Sequence, residues 1–434
     1  MPEKILIITV GGSCEPIVNA VKADAYDKVY FICSGGKKGS EITVDGAGLP
    51  CKDFRGGDAK PSIAAQTGLE PEAYEKIVLT KEEIDDLAAC YARLEEAARR
   101  ISDAHPGALV TANYTGGTKT MSAVLVMVAV RFGWSVQLNQ GVRTDLVKVR
   151  HGDVAVLQSA DPLKSGVYAV LAQKALSSWD YSMAASVAEE LLRQGPGPEI
   201  RNSWLTLRTL CLGFAAWDAF RYGEALEILQ GLGRFIGSWL GTLRSLADDS
   251  RHEHGYTVVG DLLNNAARRA DQERFDDAVS RLYRATELLA QVRLKEAHGL
   301  ESGAIGLAEL EARLSPDLME EYRARAGDDG IIKIGLHETY QLLERLSDPL
   351  GQLFMERESR ILDTLRVRNL SFLAHGFRPV TTADYNRVRQ SLEGFILDGL
   401  RRIAPGVKTP DQLPGPELME ASGLDGRFVC KAGG

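Results

Sequence analysis

The hydrophobic pattern changes period part-way along the chain. In the first 160 residues, short β-branched runs alternate with helix-length amphipathic segments; beyond them the pattern is helical throughout. "KILIITVGG", "KVYFICSGG", "KIVLT" and "ALVTANYTGG" read as strands, and "PIVNAVKA", "KEEIDDLAACYARLEEAARRI" and "TKTMSAVLVMVAVRFG" as helices between or after them. Apolar strands alternating with helices require a parallel sheet covered on both faces. The stretch "SVQLNQGVRTDLVKVRHGDVAVLQ" alternates more strictly and predicts an antiparallel extension at the sheet edge. From about residue 165, "SSWDYSMAASVAEELL", "AAWDAFRYGEALEILQ" and "RFDDAVSRLYRATELLAQVRL" repeat one amphipathic theme at helical-hairpin spacing. Two and a half loose copies are too few for a solenoid, so a compact helical region is expected. "RQGPGPE" and "GLGRFIGS" are read as turns between helices, and "RARAGDDGIIKIG" and "APGVKTPDQLPGPE" as loops.

Composition narrows the function. A formal charge of −8 argues against a general nucleic-acid coat while leaving room for a local basic cleft. The six cysteines, 14, 33, 51, 90, 211 and 430, contain no C-x-x-C pair. They suggest neither a zinc site nor a disulfide framework, and read as reduced thiols of a cytoplasmic protein. No stretch approaches a membrane span, and "MPEKILIITVGG" lacks the layout of a signal peptide.

In an open parallel sheet, ligands bind beyond the carboxyl ends of the strands. Three such ends carry glycine beside hydroxyl groups: Gly11-Gly12-Ser13, Ser34-Gly35-Gly36 and Thr115-Gly116-Gly117-Thr118-Lys119. Glycine admits an anion close to backbone amides, a following helix N-terminus adds positive potential, and Lys119 supplies a counter-charge. A phosphate-bearing ligand suits this chemistry; tight strand-to-helix turns are the alternative for any one of them. "GGSCEP" is not G-x-G-x-x-G, and "NYTGGTKT" lacks the glycine before lysine that a P-loop needs. Dinucleotide cofactors and Walker-type ATP hydrolysis are therefore not expected.

"NYTGGTKTMS" (113–122) together with "ITVGGSCEP" (8–16) resembles the CARF domain of CRISPR-associated effector proteins. The resemblance covers residues 1–160 and implies a Rossmann-like, dimeric sensor of cyclic oligoadenylate. It implies ring contacts from Gly11, Gly12, Ser13, Ser34, Gly35, Thr115, Gly116, Gly117, Thr118 and Lys119. Tyr114 either stacks on an adenine or packs in the core. Ring size is open; two-fold symmetry suggests the tetra-adenylate and permits the hexa-adenylate.

In the helical half, Arg281, Arg284 and Glu287 fall near one helix face, read as an exposed face of ion pairs. "RESRILDTLRVRNLSFLAHGF" (357–377) reads as a core-packed helix ended by Gly376, with Arg368 and His375 flanking its apolar stripe. An Arg-Asn followed by His late in a helical region resembles the HEPN ribonuclease signature, which is arginine, four to six residues, then histidine; here six intervene. Residues 161–260 then correspond to a helical linker domain and 261–434 to a HEPN domain, as in the ancillary ribonucleases of type III CRISPR systems. The resemblance implies a homodimer that cuts single-stranded RNA without a metal or cofactor. His375 acts as base or acid, Arg368 steadies phosphate charge, and Asn369 orients the scissile phosphate or holds the histidine tautomer. Two further readings stay open: a ring-sensing regulatory protein that cuts nothing, and a CARF domain that also degrades its ring through Ser13, Thr118 or Lys119. "HEHG" (252–255) is not a metalloprotease motif, and His105, His151, His298 and His337 read as surface or loop residues.

Overall fold

A computed structural model describes residues 2–52, 58–141, 143–144, 148–149, 153–369, 371 and 376–424. The chain forms two compact units, Met1–Tyr168 with Arg193–Ile200, and Ala169–Leu192 with Arg201–Gly434.

The first unit is built on a six-stranded sheet. Its strands are β1 (Lys4–Thr9), β2 (Lys28–Ser34), β3 (Tyr74–Leu79), β4 (Leu109–Asn113), β5 (Ser135–Gln140) and β6 (Val154–Gln158), in spatial order β3-β2-β1-β4-β5-β6. The first five run parallel and β6 pairs antiparallel with β5, as the stricter alternation of that stretch predicts. Side-chain alternation divides each strand between two cores. Ile5, Ile7, Tyr30 and Ile32 face α2 (Leu87–Ala104) and α3 (Lys119–Arg131). Leu6, Ile8, Val29 and Phe31 pack with Ile17, Val18 and Val21 of α1 (Glu15–Lys22) on the other side. α2 starts later than its charged lead-in suggests, because Asp86 accepts the Ala89 N–H at 2.8 Å and caps the helix there.

The thiol expectation fails at one pair. Cys14, at the start of α1, and Cys51, in the loop beyond β2, form a disulfide with Cα atoms 5.8 Å apart. Their sequence separation of 37 carries no motif; the fold brings them together. Cys33, Cys90 and Cys211 are free and buried. Burial pushes the Cys33 thiol up to about 12, the Cys211 thiol to about 12 and the Cys90 thiol to about 11, so these remain unreactive. Cys430 lies outside the described residues.

The second unit is largely helical. Its main helices include α4 (Asp161–Ser177), which begins in the first unit, α5 (Tyr181–Arg193), α6 (Pro198–Asp218), α7 (Tyr222–Leu229), α8 (Gly233–Ala247), α9 (His254–Asp271) and α10 (Phe275–His298). α11 (Leu336–Arg345), α12 (Pro349–Asn369) and α13 (Thr382–Ile403) follow. One short antiparallel pair, Ile305–Gly306 with Ile331–Ile332, interrupts the all-helical expectation and converts part of the "GDDGIIKIG" loop into a strand. "GLGRFIGS" spans the end of the 3-10 turn Gln230–Leu232 that separates α7 from α8, and a kink at Ile236 inside α8.

The repeated theme resides in the turns. Trp179, Phe220, Glu273 and Ser347 each adopt positive φ after a helix. Each turn closes with the same pair of bonds, such as Trp179 N–H to Leu176 O at 3.0 Å and Asp180 N–H to Ala175 O at 2.9 Å. This is the Schellman arrangement, built here without glycine. The proline-rich 410–414 stretch is clamped: Trp179 Nε1 donates to Leu413 O, Tyr181 Oη to Pro414 O and Trp239 Nε1 to Gln412 O.

Candidate functional site

In the first unit, β2, β1 and β4 are neighbours, so all three glycine-bearing ends emerge on one sheet edge. The turns after β1 and β4 are in backbone contact. A Cβ on Gly11 would lie 2.8 Å from Gly117 N, and one on Gly116 would lie 2.3 Å from Thr9 O. These glycines are required by the close approach of two chains, whereas a Cβ on Gly12 would meet nothing within 4 Å. Gly117 also needs its positive φ of 81°. Gly12, Ser13 and Lys119 are exposed, and among the described residues Lys119 makes no ion pair.

The hydroxyls divide by what they already do. Thr118 caps α3: its Oγ1 accepts the Met121 N–H at 3.2 Å and donates to Ile84 O at 2.9 Å. Its side chain is committed to the fold, and its N–H donates to Met121 Sδ at 3.4 Å. Thr115 Oγ1 donates to Asn113 Oδ1 at 2.6 Å, and its N–H reaches the same oxygen at 3.0 Å, an Asx-type turn. Asn113 is fully buried and gives its amide hydrogens to Gln137 Oε1 and Asn139 Oδ1 at 2.9 and 3.0 Å. Asn139 continues this network. Ser34 and Ser40 exchange bonds, with Ser40 N–H donating to Ser34 Oγ at 2.9 Å, and Gly35 N–H donates to Leu79 O at 2.9 Å. Tyr114 is half-buried against the core beneath α2 and α3.

In the second unit, α12 ends at Asn369, earlier than the apolar stripe predicts. The Ser371 N–H bonds to Arg368 O at 3.0 Å, and Ser371 then bridges to Arg378, which takes the chain out of the helix. Leu370, Leu373, Ala374 and His375 lie outside the described residues. Beyond them, Gly376 N–H donates to Ser371 O at 3.1 Å, and Val380 N–H to Asp276 Oδ2 at 3.2 Å at the head of α10.

Arg368 is half-buried. Its guanidinium lies over the Tyr283 ring of α10, 4.6 Å from the centroid, and Nη1 donates to Asn369 Oδ1 at 3.3 Å. Its Nε is buried without a partner among the described residues. The cation is therefore held on an aromatic face with donor capacity left over. Tyr283 sits inside the "RLYRATELLAQVRL" stretch, yet no local signal marks an aromatic partner some 85 residues from its arginine. Arg281 and Arg284 form the expected ion pairs, Arg281 with Asp277 at 3.1 Å and Arg284 with Glu287 at 2.7 Å.

The other histidines are less idle than their sequence setting suggests. His105 bridges Glu3 at 2.8 Å and Tyr30 Oη at 3.0 Å, His298 meets buried Asp348 at 3.0 Å, and His337 meets Glu358 at 2.6 Å. Each is fixed by a partner distant in sequence. His151 lies outside the described residues.

Among the described residues no helix is long and apolar enough to cross a membrane. No curated protein matches the chain. Residues 247–397 match the family model described as the Csm6 HEPN domain, a span that contains Tyr283, Arg368 and Asn369. Among solved structures, Enterococcus italicus Csm6 bound to cyclic hexa-2'-fluoro-hexa-dAMP is similar over 97% of this chain and 98% of its own, with a TM-score of 0.61 and 11% identity. The helical half thus carries a match to the Csm6 HEPN domain, within a chain that has the fold of a Csm6, the architecture of the CARF–HEPN effectors its sequence resembles.

Proposed function

We propose that the chain is a cytoplasmic single-strand endoribonuclease of type III CRISPR defence, switched on by a cyclic oligoadenylate. The observation that carries the reading is the Arg368 cation held over Tyr283 beside Asn369, within the span that matches the Csm6 HEPN domain. RNA brings its own nucleophile. A base removes the 2′-OH proton, the oxygen attacks the adjacent phosphorus, and the 5′-oxygen leaves with a proton. The products are a 2′,3′-cyclic phosphate and a 5′-OH. His375 serves as base and acid, Arg368 stabilises the phosphorane charge, and Asn369 orients the phosphate or the imidazole. The chemistry requires no metal cofactor. Two such sites facing each other in a homodimer double the cations and imidazoles available to one phosphate. Within this reading, residues 161–260 act as the helical linker and 261–434 as the nuclease domain.

The ring binds the first unit's sheet edge. Backbone amides of Gly11, Gly12, Gly116, Gly117 and Thr118, with Ser13 and Lys119, take its phosphates, and Ser34, Gly35, Tyr114 and Thr115 border them. The hexa-adenylate is the first ring to test, because an analogue of that size is bound to the E. italicus protein, with the tetra-adenylate as comparison. The switch requires the ring to bind the cutting arrangement more tightly than the idle one. A ring-degrading activity, if present, draws on Ser13 and Lys119 rather than the Thr118 hydroxyl, which is already committed.

The test is a panel of cyclic tetra- and hexa-adenylate, assayed for binding to the full chain and for cleavage of a single-stranded RNA, with product ends identified. Ring-dependent cleavage leaving 2′,3′-cyclic phosphates supports the reading. Tight ring binding with intact RNA supports a non-catalytic sensor instead, and shortening of the ring itself identifies a self-limiting sensor.

A further inference from the structure

We infer that Asn139 is a positioning residue that fixes the spacing between the two glycine turns, without itself touching the ring. The inference rests on the ring-binding reading and names a residue that neither the motifs nor the resemblance singles out. Asn139 stands on β5 and is nearly buried, at 8% exposure. Its bonds go to separate elements. Its backbone N–H donates to Thr115 Oγ1 at 2.8 Å, and its Oδ1 accepts from Asn113 Nδ2 at 3.0 Å, which holds the turn after β4. Its Nδ2 donates to Pro16 O at 2.7 Å, which holds the first turn of α1 after β1, and to Asp153 Oδ2 at 2.9 Å. Asp153 in turn accepts from Asn19 of α1 through its other carboxylate oxygen.

One amide therefore ties the Thr115–Lys119 turn to the Gly11–Ser13 turn through α1. The Asn113 side chain, by contrast, bonds within the turn after β4 and to β5, with no bond to α1 among the described residues. The two turns already touch at Gly11 and Gly117, so displacing either displaces both. A ring presents its phosphates at fixed separations, and a cradle whose halves are held at a matching separation loses less freedom on binding. The arrangement is buried and saturated: the Asn139 amide nitrogen donates twice and its oxygen accepts.

The test uses the full chain with cyclic hexa- and tetra-adenylate as probes, read by calorimetry and amide hydrogen exchange. Asn139→Asp replaces a donor with an acceptor against Pro16 O and the Asp153 carboxylate. It is expected to weaken ring binding about tenfold, the effect of losing two hydrogen bonds. Exchange is expected to quicken together at the 11–13 and 115–118 amides. Adding Asp153→Asn restores a bond between the two side chains but not the one to Pro16 O, and is expected to recover part of the loss. Ser13→Ala, placed to touch the ring, weakens binding while leaving exchange at 115–118 unchanged. Binding within twofold of wild type, faster exchange in one turn only, or a double variant no better than the single one overturns the inference. If Asn139→Asp does not fold, Asp153→Asn alone is expected to weaken binding about threefold, the effect of weakening one bond; unchanged binding overturns the inference. A wild-type chain that binds neither ring defeats the ring-binding reading, and the coupled exchange then judges the clamp by itself.

Discussion

The Arg368 guanidinium lies 4.6 Å from the centroid of the Tyr283 ring, joining the end of α12 to the middle of α10. Such a contact contributes about 0.5–2 kcal/mol, according to how dry it is. Tyr283→Leu is expected to lower kcat/KM for RNA by about 2- to 30-fold, with Tyr283→Phe close to wild type. Arg368→Lys is expected to lose most activity, because an ammonium can neither stack nor hold two phosphate oxygens at once. Steady-state kinetics with a defined RNA measures both.

Gly12→Ala and Gly116→Ala separate ligand contact from packing. A Cβ at 116 collides with Thr9 O at 2.3 Å, so the fold is expected to lose several kcal/mol or rearrange. A Cβ at 12 meets nothing within 4 Å, so the melting temperature is expected to stay unchanged while ring affinity falls. Thermal melting paired with ring titration reads the two effects independently. Unchanged ring affinity in Gly12→Ala removes that turn from the site.

The Cys14–Cys51 disulfide closes a loop of sequence separation 37 and is expected to stabilise the first unit by about 2–4 kcal/mol. Melting with and without reductant measures this directly. A Cys14→Ser/Cys51→Ser variant is expected to melt like the reduced protein and ignore reductant.

Asp384 sits near the head of α13, its carboxylate held below the usual range first by the Thr381 hydroxyl, against a burial cost, and then by the Thr381 N–H and Arg387. The folded state thus binds this proton more weakly than the unfolded chain. Its contribution is complete above the ordinary aspartate range and is lost as pH falls through the lower folded value. Stability is expected to decline on acidification below about pH 4, and Asp384→Asn to flatten that decline. Melting curves across pH 2–6 decide the matter.

What could be read from the sequence follows from what is local. The strands announced themselves because Ile5 to Ile8 and Val29 to Cys33 are continuous apolar runs, buried on both faces. The edge position of β6 followed from alternation, and the shared edge of the glycine turns from strand order. Leu370, Leu373 and Ala374 continue the apolar stripe in sequence, whereas α12 ends at Asn369 and Ser371 pairs with Arg378, a partner that spacing does not reveal. Cys14–Cys51, Arg368–Tyr283 and Asn139–Pro16 depend on contacts across 37 or more residues, where no spacing rule applies. Tertiary partners of single side chains are the part that periodicity does not encode.

The most direct measurement is cleavage of single-stranded RNA by the full chain with cyclic hexa-adenylate present, comparing wild type with Arg368→Ala and His375→Ala. The expected result is ring-dependent cutting by wild type, reduced about 10²- to 10⁴-fold in each variant, with ring binding unchanged. Ring-stimulated cutting that persists at wild-type rate in both variants would contradict the assignment of the nuclease site.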